Sequence, residues 1–175
     1  MFGPVVAAAV ILPQGCRLPG LTDSKQLTEK QRNLFDAEIR AAAQAWAIAV
    51  VDAETIDRIN IRQASRLAMR RAVEQLAPAP DFLLIDGSDA IDWTGPQHAV
   101  VKGDARSLSI AAASVLAKVH RDRMVVELDA VYPGYGLARH KGYCSAEHKE
   151  ALRRLGPTPL HRRSYAPVAE RLLFE

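Results

Sequence analysis

The chain has 175 residues, 49% of them hydrophobic, with a formal net charge of +3 and a pI near 9.0, enough for one domain with a buried core. Cys16 and Cys144 are its only cysteines, which excludes a disulfide framework and a zinc cluster and makes a reducing, cytoplasmic compartment the simplest inference. No apolar run approaches the roughly 18 residues that span a membrane, and the opening from Met1 to Leu12 lacks the basic segment and cleavage site of a signal peptide.

In chain order, Pro4 to Leu12 is a continuous Val/Ala/Ile run and reads as a buried strand. A loop follows from Pro13 to Leu27 and contains Asp23-Ser24-Lys25. Thr28 and Gln31 form a capping box that opens a helix to about Ala45, with Leu34, Ile39 and Ala42 on its inner side. Trp46 to Val51 is a second strand. Ile56 and Ile59 lead into a helix from about Ile61 to Leu76, striped by Ile61, Ala64, Leu67, Ala68 and Ala72, and Pro78 and Pro80 end it. Two short apolar runs follow, ending in Asp86 and Asp104. A long helix from about Ser109 to Val131 is stopped by Pro133 and Gly134. Ser145 caps a short helix that ends at Leu155, before Gly156 and Pro157. No repeat, low-complexity tract or linker interrupts this order, which is that of an α/β domain with a mixed sheet.

Asp86 and Asp104 give the first indication of chemistry. Each preceding run has the length and composition of a buried strand, so its last residue would stand rigidly at the mouth of the sheet, where open α/β sheets place ligands. Two such carboxylates can share a hard cation such as Mg²⁺. They read equally well as turn residues, because Asp-Gly and Gly-Asp are common turn pairs. Charge is also unevenly spread: from Tyr135 to the end there are eight Lys/Arg against four acids, the last of them Glu175. A basic terminal segment beside a carboxylate pair suits a polyanionic substrate; a solvated helical face is the plain alternative.

A set of short motifs carries a resemblance. These are Gly3 to Leu12, Asp23-Ser24-Lys25, Ile59-Asn60-Ile61, Ile85-Asp86-Gly87, Lys102-Gly103-Asp104, Ala111 to Lys118 with Arg121-Asp122, Tyr132 to Gly136, His140 to Tyr143, and His161 to Ser164. Each is weak alone, but together and in this order the chain resembles ribonuclease HII, the bacterial type 2 ribonuclease H, along nearly its whole length. The resemblance implies one domain of ribonuclease H-like fold. A mixed sheet flanked by helices would occupy about residues 1–132, and a basic helical C-terminal extension about 133–175. It implies hydrolysis of RNA strands hybridised to DNA, and of single ribonucleotides embedded in duplex DNA. Two Mg²⁺ or Mn²⁺ ions would serve the reaction, leaving 5′-phosphate and 3′-hydroxyl ends. A monomer is the default expectation.

Residue by residue, Asp86 and Asp104 match two of the family's four catalytic, metal-holding carboxylates. Tyr143 matches the tyrosine that stacks at the RNA–DNA junction and helps detect the 2′-hydroxyl; the alternative is an ordinary half-buried tyrosine. Ser24, Lys25, Lys141, Arg162 and Arg163 are the expected nucleic-acid contacts, against the alternative of loop and surface groups that touch nothing. Ser114 and Lys118 lie four apart on one helix face and either support the site or pack the long helix.

The same resemblance exposes a departure. The family begins with a strand ending in Asp-Glu and then Gly-Arg-Gly, whereas here Met1-Phe2 directly precede Gly3-Pro4. The first central strand and the metal-bridging aspartate are therefore expected to be missing, which leaves the two-metal site incomplete. Either the start is internal and the protein extends upstream, or the chain is a shortened relative that binds nucleic acid without cutting. The persistence of Asp86, Asp104 and Tyr143 favours the first. Thr22, Ser88 and Cys144 are smaller departures. Should the short chain cut, Asp23, Asp122 and Glu127 are the next carboxylates to test.

Overall fold

A computed structural model of the chain describes residues 1–173; Glu175, counted above among the terminal acids, lies outside the described residues. The chain forms two compact units that interleave in sequence. A strand-bearing unit holds Val6–Val50 and Ser65–Val119, and a helical unit holds Met1–Val5, Val51–Ala64 and the chain from His120 on. The boundary falls at Val119, inside a helix that runs unbroken from Leu108 to Val131.

In the strand-bearing unit, β1 (Val5–Ile11) pairs with β2 (Ala45–Val51), and β3 (Leu83–Asp86) pairs with β4 (Gln97–Val100). The expected single mixed sheet is thus, among the described residues, two separate two-stranded sheets. They share a core nonetheless: Leu83 and Ile85 of β3 cluster with Val73 and Ile91, and Ala9 of β1 packs against the same group. β3 and β4 run parallel, with Leu83 opposite Gln97 and Asp86 opposite Val100. A parallel pair needs a crossover, here unusually short. The Gln97 amide staples it, accepting from the Ile91 N–H at 2.9 Å and donating to the Ile91 carbonyl at 3.0 Å.

α1 (Glu29–Ala42) begins at the expected capping box: the Thr28 Oγ1 accepts from the Gln31 N–H at 3.3 Å, and the Gln31 Oε1 accepts from the Thr28 N–H at 2.9 Å. Its Phe35 and Ile39 enter the main apolar cluster with Leu18, Leu27, Val115, Leu116 and Val119. Leu34, expected inside, is 59% exposed, because Phe35 takes the core position and a helix turns about 100° per residue. α2 (Ala53–Glu74) begins earlier than its stripe suggested and breaks at Asn60. Asn60 has a φ of 65°, and its Oδ1 accepts from the Gln63 N–H at 3.1 Å, capping the second segment. In that segment Ala64, Ala68 and Ala72 are buried as the stripe predicted, whereas Ile61 at its start is exposed. α3 is the long helix Leu108–Val131.

The helical unit adds α4 (Leu137–His140), α5 (Ala146–Leu155) and α6 (Ala166–Leu172). α5 matches its predicted ends, with the Ser145 Oγ accepting from the His148 N–H at 3.1 Å and Gly156 just past its C-terminus. Phe2, Val125, Tyr135, Leu137 and Ala151 form one buried cluster of this unit, and Met1, Leu152 and Val168 another. Asp57 pins the His161-to-Ser164 turn: its carboxylate accepts from the Arg163 N–H at 2.8 Å, the Ser164 N–H at 2.9 Å and the Ser164 hydroxyl at 2.6 Å. No described helix is long and apolar enough to cross a membrane.

Candidate functional site

Asp86 ends β3, as the run before it suggested, and is exposed. Its Oδ1 accepts from the Gly103 N–H at 2.9 Å. Asp104 is placed differently from expectation. β4 stops at Val100, Lys102 turns into the left-handed region (φ 54°, ψ 44°), and Asp104 sits in a single 3₁₀ turn, Gly103–Ala105. A side chain at position 103 would have to displace its neighbours: a Cβ on Gly103 would meet the Ile110 Cδ1 at 2.5 Å and the Asp86 Oδ1 at 3.2 Å. The turn thereby closes onto Asp86 and carries Asp104 with it.

The consequence is electrostatic. Burial first, then the charge of Asp86, then that of Asp23 push the Asp104 carboxyl above its ordinary value; a side-chain hydrogen bond with Asp23 adds to this, and the Ala105 N–H opposes it. Asp23 is thus the reserve carboxylate that the fold brings to Asp104. Asp122 and Glu127 belong to the helical unit, where Asp122 is buried with its Oδ1 3.9 Å from the Arg121 guanidinium. Among the described residues, no three His, Cys, Asp or Glu side chains form a ready metal cage. The site instead offers hard oxygens that repel one another. Mg²⁺ is commonly held by one or two carboxylates with waters and substrate phosphate completing its shell, so this donor set fits a hydrated divalent ion.

The loop that carries Asp23 is anchored from within. Ser24 is 4% exposed, and its Oγ lies 2.9 Å from the Oγ of Ser114 on α3. Ser24 therefore faces the interior rather than a substrate, and Ser114 supports the loop. Lys25 is exposed, and its N–H donates to the Asp23 Oδ1 at 2.8 Å. Lys118, one turn beyond Ser114, is half-buried.

The remaining candidates stand in the helical unit. Tyr143 follows α4 through Lys141, in the left-handed region at φ 49°, and Gly142 at φ 73°. A Cβ on Gly142 would meet the Phe2 carbonyl oxygen at 3.2 Å, so this turn is closed to larger residues. Tyr143 is 54% exposed. The Arg121 guanidinium lies 5.1 Å from its ring centroid and donates to the Lys141 carbonyl at 3.0 Å. Burial holds the Arg121 pKa below its ordinary value. Arg163 is exposed. Arg162, expected on substrate phosphates, is 7% exposed. It donates to the Gly3 carbonyl at 2.9 Å, the Pro4 carbonyl at 3.2 Å and the Tyr165 hydroxyl at 2.9 Å. Its donors are engaged inside the fold, which removes it from the set of surface cations. Arg121 and His161 lie within motifs of the sequence that assign them no role, and His148 is invisible there because a single histidine on a polar helix carries no pattern.

The ribonuclease HII family model matches residues 1–168 of the chain. The chain belongs to the ribonuclease HII family. Ribonuclease HII of Myxococcus xanthus (strain DK1622) is 56% identical over 174 residues, which is 98% of this chain and 59% of that protein. Ribonuclease HII of Solibacter usitatus (strain Ellin6076) is 55% identical over 168 residues, 96% of this chain and 73% of that protein. Against the Myxococcus relative, then, this chain spans less than two thirds of the length. The crystal structure of ribonuclease H2 from Pyrococcus horikoshii OT3 superposes with a TM-score of 0.77 at 23% identity, covering 97% of this chain and 92% of that one. The Mn²⁺ complex of Bst-RNase HIII gives 0.73 at 21% identity, covering 99% and 65%. At these identities the structures establish the fold, the expected ribonuclease H-like α/β architecture.

Proposed function

We propose that this chain hydrolyses the RNA strand of RNA–DNA hybrids and cuts duplex DNA at single embedded ribonucleotides. The observation that carries the reading is the carboxylate pair Asp86 and Asp104, with the turn that bears Asp104 hydrogen-bonded to Asp86 through the Gly103 N–H, within a chain of the ribonuclease HII family. Water adds to phosphorus as the P–O3′ bond breaks, leaving a 3′-hydroxyl and a 5′-phosphate. A bound pair of Mg²⁺ or Mn²⁺ ions, held by Asp86 and Asp104, would supply the activated water and stabilise the leaving oxygen. Lys25, Lys141 and Arg163 neutralise substrate phosphates, and such contacts position a duplex without reading its sequence. Tyr143 offers an exposed ring for stacking at the ribonucleotide, whose 2′-hydroxyl is the group that distinguishes RNA from DNA. Ser114 and Lys118 support the site from α3. Cys16 and Cys144 are both unpaired, which suits a reducing, cytoplasmic compartment.

The test is incubation of this 175-residue chain with Mg²⁺ or Mn²⁺ and two labelled duplexes. One carries a single ribonucleotide and the other is all DNA. Cutting confined to the first, at the ribonucleotide, is expected. Selective binding without cutting would replace this reading with a nucleic-acid-binding role, and no discrimination at all would end both.

A further inference from the structure

Two fully buried histidines of the helical unit, His148 and His161, lie with their Nε2 atoms 3.2 Å apart. The direction of the hydrogen bonds that link the two rings to Thr158 and Tyr143 follows by elimination, and the Thr158 hydroxyl lies 3.0 Å from the same His161 Nδ1. The backbone N–H of Thr158 can only donate, and it faces the His161 Nδ1 from 2.9 Å. That nitrogen is therefore an acceptor, and a neutral ring then carries its proton on Nε2. The proton is donated to the Nε2 of His148, which leaves the His148 proton on Nδ1. There it is donated, over 2.8 Å, to the backbone carbonyl of Tyr143. The donors run one way, from Thr158 through both rings to Tyr143.

Burial, with the neighbouring histidine as a second cause for His161, holds both rings at about 4, so both are neutral near pH 7. A third ring completes the arrangement. His140 stacks on His148 with centroids 4.4 Å apart. It accepts from the Gly142 N–H at 3.2 Å, so its proton goes to the Tyr135 carbonyl at 2.8 Å. Apolar side chains would fill the same space without desolvating ring nitrogens; what the imidazoles add is direction.

We propose that His148 and His161 are positioning residues for Tyr143, their relay fixing the backbone from which the exposed ring projects. This rests on the reading of Tyr143 as the residue that meets the ribonucleotide. A stacking platform held in one orientation before binding loses less freedom on binding. Neither histidine touches substrate; both act through Tyr143.

Imidazole ¹⁵N resonances of the full chain at pH 7 test the relay directly. A single proton on the His161 Nε2 and a single proton on the His148 Nδ1 are expected. A charged His148, or one protonated on Nε2, would overturn the proposal. The functional arm uses His148→Phe, which fills the space without a donor, and His148→Asn, which keeps an N–H near the Nδ1 position. The readouts are the ¹⁹F signal of 3-fluorotyrosine at position 143 and the preference for binding a ribonucleotide-containing duplex over an all-DNA one. His148→Phe should move the fluorine signal and cut the preference about ten-fold. His148→Asn should restore most of it, and in a Tyr143→Ala background His148→Phe should change nothing further. An equal loss with and without Tyr143, or a fluorine signal that His148→Phe leaves unmoved, would overturn the proposal. A preference that survives Tyr143→Ala would end the reading of Tyr143, while the fluorine and ¹⁵N signals would still decide the relay.

Discussion

Around Asp104 like charges accumulate: Asp86 and Asp23 both raise its carboxyl, and the described residues supply no full cage to absorb them. Around Tyr143 the opposite holds, since the Lys141 carbonyl takes a donor from Arg121 and the Tyr143 carbonyl takes one from His148. One region stores electrostatic tension that a cation would relieve. The other has its backbone carbonyls satisfied from within and presents the exposed Tyr143 ring beside Arg121. The difference separates two ways of preparing a site: by withholding a countercharge, or by fixing an orientation in advance.

The sharpest way to break the comparison is Asp86→Asn. Cleavage of a ribonucleotide-containing duplex should fall by at least about a hundred-fold, because the proposed carboxylate ligand is lost. The circular dichroism spectrum should be retained, and the melting temperature in metal-free buffer should hold or rise as repulsion on Asp104 is relieved. Cutting at the normal rate by this variant would end the metal-ligand assignment.

Acid should separate the two regions next. In the unfolded chain His148 and His161 take protons near pH 6.5, whereas the folded rings refuse them until about pH 4. Their contribution is therefore complete above pH 6.5 and is lost as the pH falls toward 4, with His140 stacked alongside as a further group whose charge opposes protonation of His148. Asp104 works in the other direction: its raised carboxyl takes a proton more readily when folded, so acid relieves a cost there. Melting temperatures between pH 7 and 4 should decline in the native chain and less steeply in His148→Phe. Equal slopes would show that the imidazoles do not set the acid limb. The smallest effect is expected from Ser114→Ala, which removes the hydroxyl pair with Ser24 and should cost about 1 kcal/mol, or a few degrees of melting temperature; an unchanged melt would mean that this pair does not hold the Asp23 loop.

What the sequence determined by itself was local. The Thr28–Gln31 capping box and the Ser145 cap join residues three apart, and such contacts are written in short patterns. The Ala64, Ala68 and Ala72 stripe and the strand ending at Asp86 were legible for the same reason, and the family was legible from the order of its motifs. Tertiary structure decided the rest. The Ser24–Ser114 contact spans 90 positions and the Arg162–Gly3 contact 159, separations at which neither partner selects the other through any local periodicity. Leu34 or Phe35 could each have taken the core position until the surrounding cluster chose. Asp104 left its strand because Lys102 turns into the left-handed region and Gly103 packs closely against Ile110 and Asp86. His148 and His161 became a relay only when folding buried both rings against the carbonyl of Tyr143, since an imidazole's tautomer is set by the partners that surround it.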